Sequence, residues 1–448
     1  MCHLLTQSAT RNIELICDTI IESELLATPG ALRLGLIAYR DHPPQDHVYI
    51  VRNFGFATDV HEMKTNLNSL FAAGGGDGPE AATAALNAAA ELPWRPDAAK
   101  MAILVTDAPP HGIGEYGDGF PNGSPDNADP IVLARRMAAV GITLFVVACE
   151  PALSGYQHAV DFYKGLVQIT SGILVPLTTA SLLAQVVIAA ASEVMDMDRL
   201  HREVGDAVLE RLQNLSLSAR DADTPMLIDA VARELHEKLA LRNESTRQLI
   251  IEDIYRDSPE STHNVLVWSS AENLAAARPY IRKVIGSRLS QKFIESRRRG
   301  LASSSTRPVP LPVPVPTHAP EPAPAPASAP APAPVPPRGI VSDFSPFAAS
   351  QMSIASSGVA APSAIASTYR SADPLDDDGD DEMDDADDER DPSDAGDNMG
   401  DNMGDTHGQS GMYFSGDDGQ RLALRQDTIS LDQARRLAAQ SVARRQFT

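Results

Sequence analysis

The chain has 448 residues, a formal net charge of −23 and 43% hydrophobic residues. This acidic excess argues against nucleic-acid binding, which needs clustered Lys and Arg to replace the counterions of the phosphates. Cys2, Cys17 and Cys149 are too few for a disulfide framework and lack the spacing of metal ligands. The sequence shows no signal-peptide pattern and no run of about eighteen apolar residues, so we expect an intracellular, cytoplasmic protein without membrane contact.

The first quarter of the chain predicts helices around a hairpin. Apolar residues fall on one helical face from about residue 6 to residue 26. The segments "ALRLGLIAYRD" and "HVYIVRNFGF" predict two strands that pair across the loop "DHPPQD". Two further helices are expected at about 59–71 and 79–91.

Strands and helices then alternate up to residue 195. The apolar run "KMAILVTDAPPHG" is typical of a buried parallel strand and ends at Asp107, before a Pro-Pro breaker. After a long Gly- and Pro-rich loop, the segments "ITLFVVACE" and "GILVPL" predict further strands, each between helices. This order predicts an α/β fold: a doubly wound, mostly parallel sheet with helices on both faces, as in Rossmann-like proteins.

The remaining chain changes composition three times. Residues 196–300 predict a helical region without clear strands and without chemistry. Residues 301–340 form a proline-rich linker, and residues 341–448 predict a disordered tail with an acidic region at 373–405.

The stretch "AAGGGDGPEAATAAL" at residues 72–86 contains a glycine-rich turn before a helix. Such turns often bind phosphate, but a phosphate loop needs Lys and Ser or Thr after the glycines, and here Asp77 and Glu80 follow. Two interpretations stay open for Asp77. It caps the helix, with Pro79 in the first turn, or it is a ligand of a cation.

Asp107 favours the cation, because it ends a buried strand at the sheet edge where α/β proteins place their ligands. Two carboxylates on neighbouring loops, with Thr106 beside one of them, suit a hard divalent cation. The alternative is that Asp107 is a turn residue. The segment "YRDHPPQDHVY" offers Asp41, His42, Asp46 and His47, which suit a transition-metal site, but the polarity of a hairpin loop explains them more simply. His111 and Asp118 lie in the long loop and could face the same crevice as Asp107.

Four segments together, "LRLGLIAYRDHP", "GGGDGPEA", "LVTDAPPHG" and "ITLFVVACEP", resemble a von Willebrand factor A-type (vWA) domain. They are most similar to the intracellular group of fungi and protists that is sometimes joined to an alpha-type protein kinase. The resemblance covers about residues 6–195 and implies a metal-ion-dependent adhesion site. It places Asp77 on the second loop of that site and Asp107 on the third, with a partner's carboxylate completing the coordination of Mg²⁺, Mn²⁺ or Ca²⁺.

The chain departs from the pattern of the family at its first loop. The first strand and its D-x-S-x-S motif are expected just before "SATRNIELICDTI", where Cys2, Leu4 and Leu5 are too few for a central strand. Ser8 and Thr106 are the weaker candidate ligands that remain. We therefore expect an N-terminally incomplete vWA-like domain at residues 1–195 whose cation affinity is weak or absent. No kinase module follows it in the sequence.

These observations favour a non-catalytic protein-protein interaction or adaptor protein with a partial or vestigial divalent-cation site. One alternative is a metal-assisted hydrolase that uses Asp77, Asp107 and His111 around an ion. Another is that the acidic tail binds basic proteins.

Overall fold

The computed structural model describes residues 13, 15–21, 31–71, 75–218, 224–304 and 411–445. These residues all belong to one compact unit of the chain, made of Met1–Pro308 with Gly404–Thr448. Ser8 and the acidic region 373–405 lie outside the described residues.

Eight strands and eleven α-helices are present in the described residues. The strands are β1 (Leu34–Tyr39), β2 (Val51–Ala57), β3 (Lys100–Thr106), β4 (Ile142–Cys149), β5 (Leu174–Leu177), β6 (Ser245–Ile251), β7 (Gly411–Ser415) and β8 (Arg421–Thr428). The helices are α1 (15–21), α2 (Val60–Asn68), α3 (Ala82–Ala90), α4 (Pro130–Ala139), α5 (Ala159–Ile169), α6 (Leu183–Ser218), α7 (Thr224–Leu241), α8 (Pro259–Ser270), α9 (Leu274–Ala277), α10 (Gln291–Ser304) and α11 (Leu431–Arg445).

A three-stranded parallel sheet in the order β3-β4-β5 supports the first part of the fold. Every residue of β4 is buried, which explains why its sequence is a continuous apolar run. Leu144 and Val146 pack into a core that α4 and α5 share, while Phe145 and Val147 pack against α6 on the other face. The α/β class predicted from the sequence is therefore correct, and helices cover both faces of this sheet.

The predicted hairpin is present as a separate sheet. β1 pairs with β2 in antiparallel register, and within the described part of the chain no strand pairs with both β1 and β3. The ends of β1 and β3 are joined instead through the start of α3. The Glu80 N–H donates to the Pro109 carbonyl and the Ala81 N–H donates to the Arg40 carbonyl, both at 2.9 Å. Two neighbouring residues therefore hold the loops that follow the two strands side by side.

The prediction of a helical region without strands at 196–300 is wrong at one element. Residues 245–251 form β6, which pairs with β8 in a second three-stranded sheet of order β6-β8-β7. The helical stretch Ala180–Leu215 includes an 18-residue window apolar enough by composition to cross a membrane, but 72% of that window is buried in the protein. The packing of the described chain accounts for this apolar character.

The prediction of disorder for 341–448 is wrong for residues 411–445. This C-terminal segment forms β7, β8 and α11, and Leu422, Leu424 and Leu437 on it are buried in the cores formed with α6 and α7. The Gln420 side chain also accepts a hydrogen bond from the Thr178 N–H and donates one to the carbonyl of Pro176 in β5. The segment folds because it buries its apolar face against distant elements, which its local composition does not reveal.

Candidate functional site

Three loops bring Asp41, Asp77 and His111 together. Asp41 follows β1, Asp77 precedes α3 and His111 follows β3. One ligand atom from each of the three side chains lies within 4.8 Å of the other two. We call these residues the Asp-His cluster. The backbone hydrogen bonds of Glu80 and Ala81 hold the loops after β1 and β3 side by side. The side chains of the cluster come together because of this arrangement.

His111 is fixed by two carboxylates. Its Nε2 lies 2.7 Å from Asp41 Oδ1 and its Nδ1 lies 2.7 Å from Asp118 Oδ1, while the ring is 1% exposed. Burial by itself lowers the pKa of His111, but the hydrogen bonds to Asp118 and Asp41 raise it above its ordinary value. Both ring nitrogens therefore face carboxylate oxygens, an arrangement that favours the protonated form of His111.

Asp118 is positioned to stay ionised. It accepts from the Gly112 N–H at 2.7 Å and from the Phe120 N–H at 2.8 Å, in addition to His111. Burial opposes ionisation, but these three hydrogen bonds hold the pKa of the Asp118 carboxyl below its usual value. Asp118 therefore orients the ring of His111 from the side opposite the cluster.

Each carboxylate of the cluster has one oxygen that is bonded and one that is not. Asp41 Oδ1 accepts from the His42 N–H at 2.7 Å, and Asp77 Oδ2 accepts from the Gly119 N–H at 2.6 Å. Asp41 Oδ2 and Asp77 Oδ1 are buried and have no hydrogen-bond partner among the described residues. A buried acceptor without a partner costs about 1–3 kcal/mol. A proton shared between Asp77 and Asp41, or a bound cation in its place, would satisfy these oxygens.

Negative charge accumulates at this point. Burial raises the pKa of Asp77, the Gly119 N–H opposes the increase, and the neighbouring Asp41 adds to it. Glu80 lies on the same edge, and burial together with the charge of Asp41 raises its pKa to about 7. Gly75 is needed for this close approach, because a Cβ there would lie 3.0 Å from Asp41 Oδ2 and 3.2 Å from Glu80 Oε2. Burial and mutual repulsion therefore oppose the simultaneous ionisation of Asp41, Asp77 and Glu80, and either a proton or a bound cation relieves that repulsion.

The residues predicted as ligands have different environments. Asp77 belongs to the cluster. Asp107 does not belong to this three-residue group, although its charge contributes to the raised pKa of Glu80 and so places it on the same edge. Thr106 is used in a turn, since its hydroxyl donates to the Ala108 carbonyl at 2.8 Å and accepts from the Ala108 N–H. Ser8 lies outside the described residues.

Two acidic residues of the loop between β1 and β2, Asp46 and Asp41, have different roles. Asp46 bonds to the Arg40 guanidinium at 2.5 Å and to the Val48 N–H, in agreement with the interpretation of loop polarity. That interpretation is wrong for Asp41, which is 0% exposed and belongs to the cluster. Asp41 lies two residues after the end of β1, as Asp107 follows β3, and this position at a strand end is the sequence signal for it. His111 faces the crevice, as its place in the long loop allowed.

Comparison with known proteins gives one distant relationship. Over 118 residues the chain is 29% identical to alpha-protein kinase vwkA of Dictyostelium discoideum, a protein that contains a vWA domain. The match covers 24% of this chain and 18% of that protein, so the chain spans less than a fifth of its relative. No family model matches the chain. The similarity agrees with the resemblance to vWA domains and supports no more specific assignment.

Proposed function

We propose that this chain is a non-catalytic interaction protein built on a vWA-type domain. In this proposal the Asp-His cluster binds a divalent cation, and the carboxylate of a protein partner completes the coordination. The observation that carries the proposal is the pair of buried oxygens without partners, Asp41 Oδ2 and Asp77 Oδ1, beside the imidazole of His111. A cation bound there would satisfy both oxygens and remove the free-energy cost of leaving them without a partner.

Exposed apolar side chains on the same loops support a protein partner. Tyr116 lies between His111 and Asp118 and is fully exposed, and Val48 in the hairpin loop is 67% exposed. The carbonyl of Phe71, a residue whose side chain is also exposed, accepts from Arg40 at 3.3 Å, which keeps it beside the end of β1. Exposed aromatic residues are enriched in protein-protein interfaces.

The test is calorimetric titration of the EDTA-treated full chain with divalent cations. We expect saturable binding that Asp77→Asn weakens at least tenfold. Asp257→Asn, which changes an exposed aspartate between β6 and α8, is the matched control and leaves the affinity unchanged. Absence of binding by the unaltered chain, or equal affinity of the Asp77 variant, contradicts the proposal.

A second experiment tests whether the carboxylate of a partner binds at the cation. A short labelled peptide with one central Asp is titrated with the cation-loaded chain, and fluorescence anisotropy reports the complex. We expect binding that EDTA abolishes and that the same peptide with Asn does not show. If the Asn peptide binds equally well, the carboxylate has no role at the cation.

Glu80 favours a second candidate function, metal-assisted hydrolysis. Glu80 lies beside the cluster, and in the cation-free chain its pKa is raised to about 7. A bound cation would lower this pKa and leave Glu80 as the carboxylate that accepts a proton from water. His111 is a poor base for this step, because Asp41 and Asp118 occupy its two nitrogens. Zinc- or manganese-dependent hydrolysis of p-nitrophenyl phosphate that Glu80→Gln abolishes would support this candidate, and the lack of any turnover favours the interaction protein.

A further inference from the structure

We infer that the Asp-His cluster is selective for Zn²⁺ or a similar transition-metal ion over Mg²⁺ and Ca²⁺. This inference rests on the proposed function, since it assumes that the cluster binds a divalent cation. It concerns the nature of the ion, which follows from the donor atoms that the fold brings together. The sequence favoured oxygen donors from Asp77 and Asp107, and the structure brings the imidazole of His111 into the donor set beside Asp41 and Asp77.

The donor set is one imidazole nitrogen and two carboxylate oxygens. His111 Nε2 lies 2.7 Å from Asp41 Oδ1, and Asp77 supplies the third atom within 4.8 Å. Mg²⁺ and Ca²⁺ take oxygen ligands almost exclusively, whereas imidazole suits zinc and its neighbours in the first transition row. Three protein ligands also leave one position of a tetrahedral zinc ion open for a partner or for water.

The residues that hold the ring of His111 in place are typical of those around a metal-binding histidine. Asp118 Oδ1 lies 2.7 Å from Nδ1 of His111, and two backbone N–H groups donate to the Asp118 carboxylate. Asp118 thus binds the ring on the side opposite Asp41. A carboxylate bonded to the nitrogen that does not bind the metal fixes the ring and makes the other nitrogen a stronger metal ligand. Phe120 packs edge-on against the ring with centroids 4.9 Å apart, which also restricts its rotation. Nε2 is therefore held on the side of the ring that faces Asp41.

Asp41 provides the independent sign that a ligand belongs at the cluster. Its side chain is 0% exposed, and its Oδ2 has no partner among the described residues although Oδ1 is doubly engaged. A buried carboxylate with a vacant oxygen, beside the half-buried Asp77 whose Oδ1 also has no hydrogen-bond partner among the described residues, is more than an acidic surface patch. When an ion binds, the proton on Nε2 leaves to solvent and the lone pair becomes available to the metal.

The experiment compares Zn²⁺, Co²⁺, Mg²⁺ and Ca²⁺ in calorimetric titrations of the EDTA-treated full chain. We expect Zn²⁺ to bind at least 100-fold more tightly than Mg²⁺. Replacing His111→Asn should remove most of this preference, and Asp118→Asn should weaken Zn²⁺ binding by about 10–100-fold while leaving Mg²⁺ binding unchanged. His61→Asn, at an exposed histidine of α2, controls for adventitious zinc and should have no effect.

The outcomes separate the two proposals. Tight Mg²⁺ binding within tenfold of Zn²⁺, or an unchanged zinc affinity in His111→Asn, overturns the selectivity and leaves the cation site of the proposed function standing. No binding of any ion overturns the proposed function itself. Circular dichroism establishes that each variant is folded. Should His111→Asn fail to fold, Asp118→Asn together with the d–d spectrum of the Co²⁺ form, which reports a nitrogen ligand and the coordination number, decides the question.

Discussion

Glu193 in α6 and Arg436 in α11 form a buried ion pair although 243 residues separate them in the chain. The Glu193 side chain is 2% exposed and that of Arg436 13%. The other oxygen of Glu193 accepts from the Leu249 N–H in β6 at 3.0 Å, and Gln433 adds a further bond. One carboxylate thus connects the long helix, the second sheet and the C-terminal segment.

Removal of the Arg436 side chain should therefore be costly. We expect Arg436→Ala to lower the free energy of unfolding by about 3–5 kcal/mol, because Glu193 keeps its buried charge and loses its partner. Urea denaturation measures the change. Arg233→Ala is the matched control, since Arg233 pairs with Asp229 on an exposed helix face and should contribute less than about 0.5 kcal/mol. Equal effects of the two variants would contradict a special role of the buried pair.

The C-terminal segment should remain bound after the chain is cut. We expect that cleavage at a protease site inserted between residues 340 and 341 leaves two fragments that elute together on size exclusion. The reason is that β8 is the central strand of its sheet and that α11 buries Leu437 against α6 and α7. Leu437→Asp should release the fragment after the cut. Separation of the fragments without this substitution would show that the segment is only loosely attached.

Glu80 should make stability depend on pH around neutrality. Its pKa is raised from 4.5 to about 7 in the folded protein, so the folded state holds the proton more strongly than the unfolded state. The resulting stabilisation is complete below pH 4.5 and is lost as the pH rises through 7. Without added cation, Glu80→Gln should therefore raise the free energy of unfolding at pH 8 by about 1 kcal/mol, after allowance for partial solvent exposure.

Thermal unfolding of both proteins between pH 4.5 and pH 8 measures this effect. The Gln variant should show a flatter profile than the unaltered chain across that window. Glu91→Gln, at an exposed carboxylate 3.9 Å from Arg136, is the control and should leave the profile unchanged. A profile of Glu80→Gln that parallels the original would mean that Glu80 titrates normally.

Gly172 lies where the turn after α5 presses against β4. A Cβ at this position would lie 1.8 Å from the Leu144 carbonyl oxygen, and backbone cannot move aside as a side chain can. We expect Gly172→Ala to destabilise the protein by about 1–3 kcal/mol or more. Gly155→Ala is the control, because a Cβ at Gly155 meets nothing within 4 Å. Denaturant titrations that find the two variants equally stable would refute the close approach.

The elements up to residue 195 could be predicted because their signals are local. β4 is a continuous apolar run, and α4 begins with Asp129 as its N-cap followed by Pro130, so pattern and capping agree. The second sheet could not be predicted in the same way. Its central strand β8 pairs with β6 between Ser245 and Thr428, and no local window contains both partners.

The candidate site was predictable in part for the same reason. Asp77 stood out because a carboxylate interrupts a glycine-rich turn before a helix. Asp41 and His111 lie on two other loops, and only the backbone bonds of Glu80 and Ala81 to those loops bring the three side chains together. The polarity of a single loop cannot show which of its acidic residues turns inward.

The return of residues 411–445 to the fold makes the proline-rich and acidic sequence an insertion between two anchored ends, α10 on one side and β7 on the other. For a chain closed into a loop, the entropic penalty rises only with the logarithm of its length, by about 0.6 kcal/mol for each doubling. We therefore expect changes in the number of residues between 305 and 410 to alter the stability of the described fold very little, provided that both attachment points are kept.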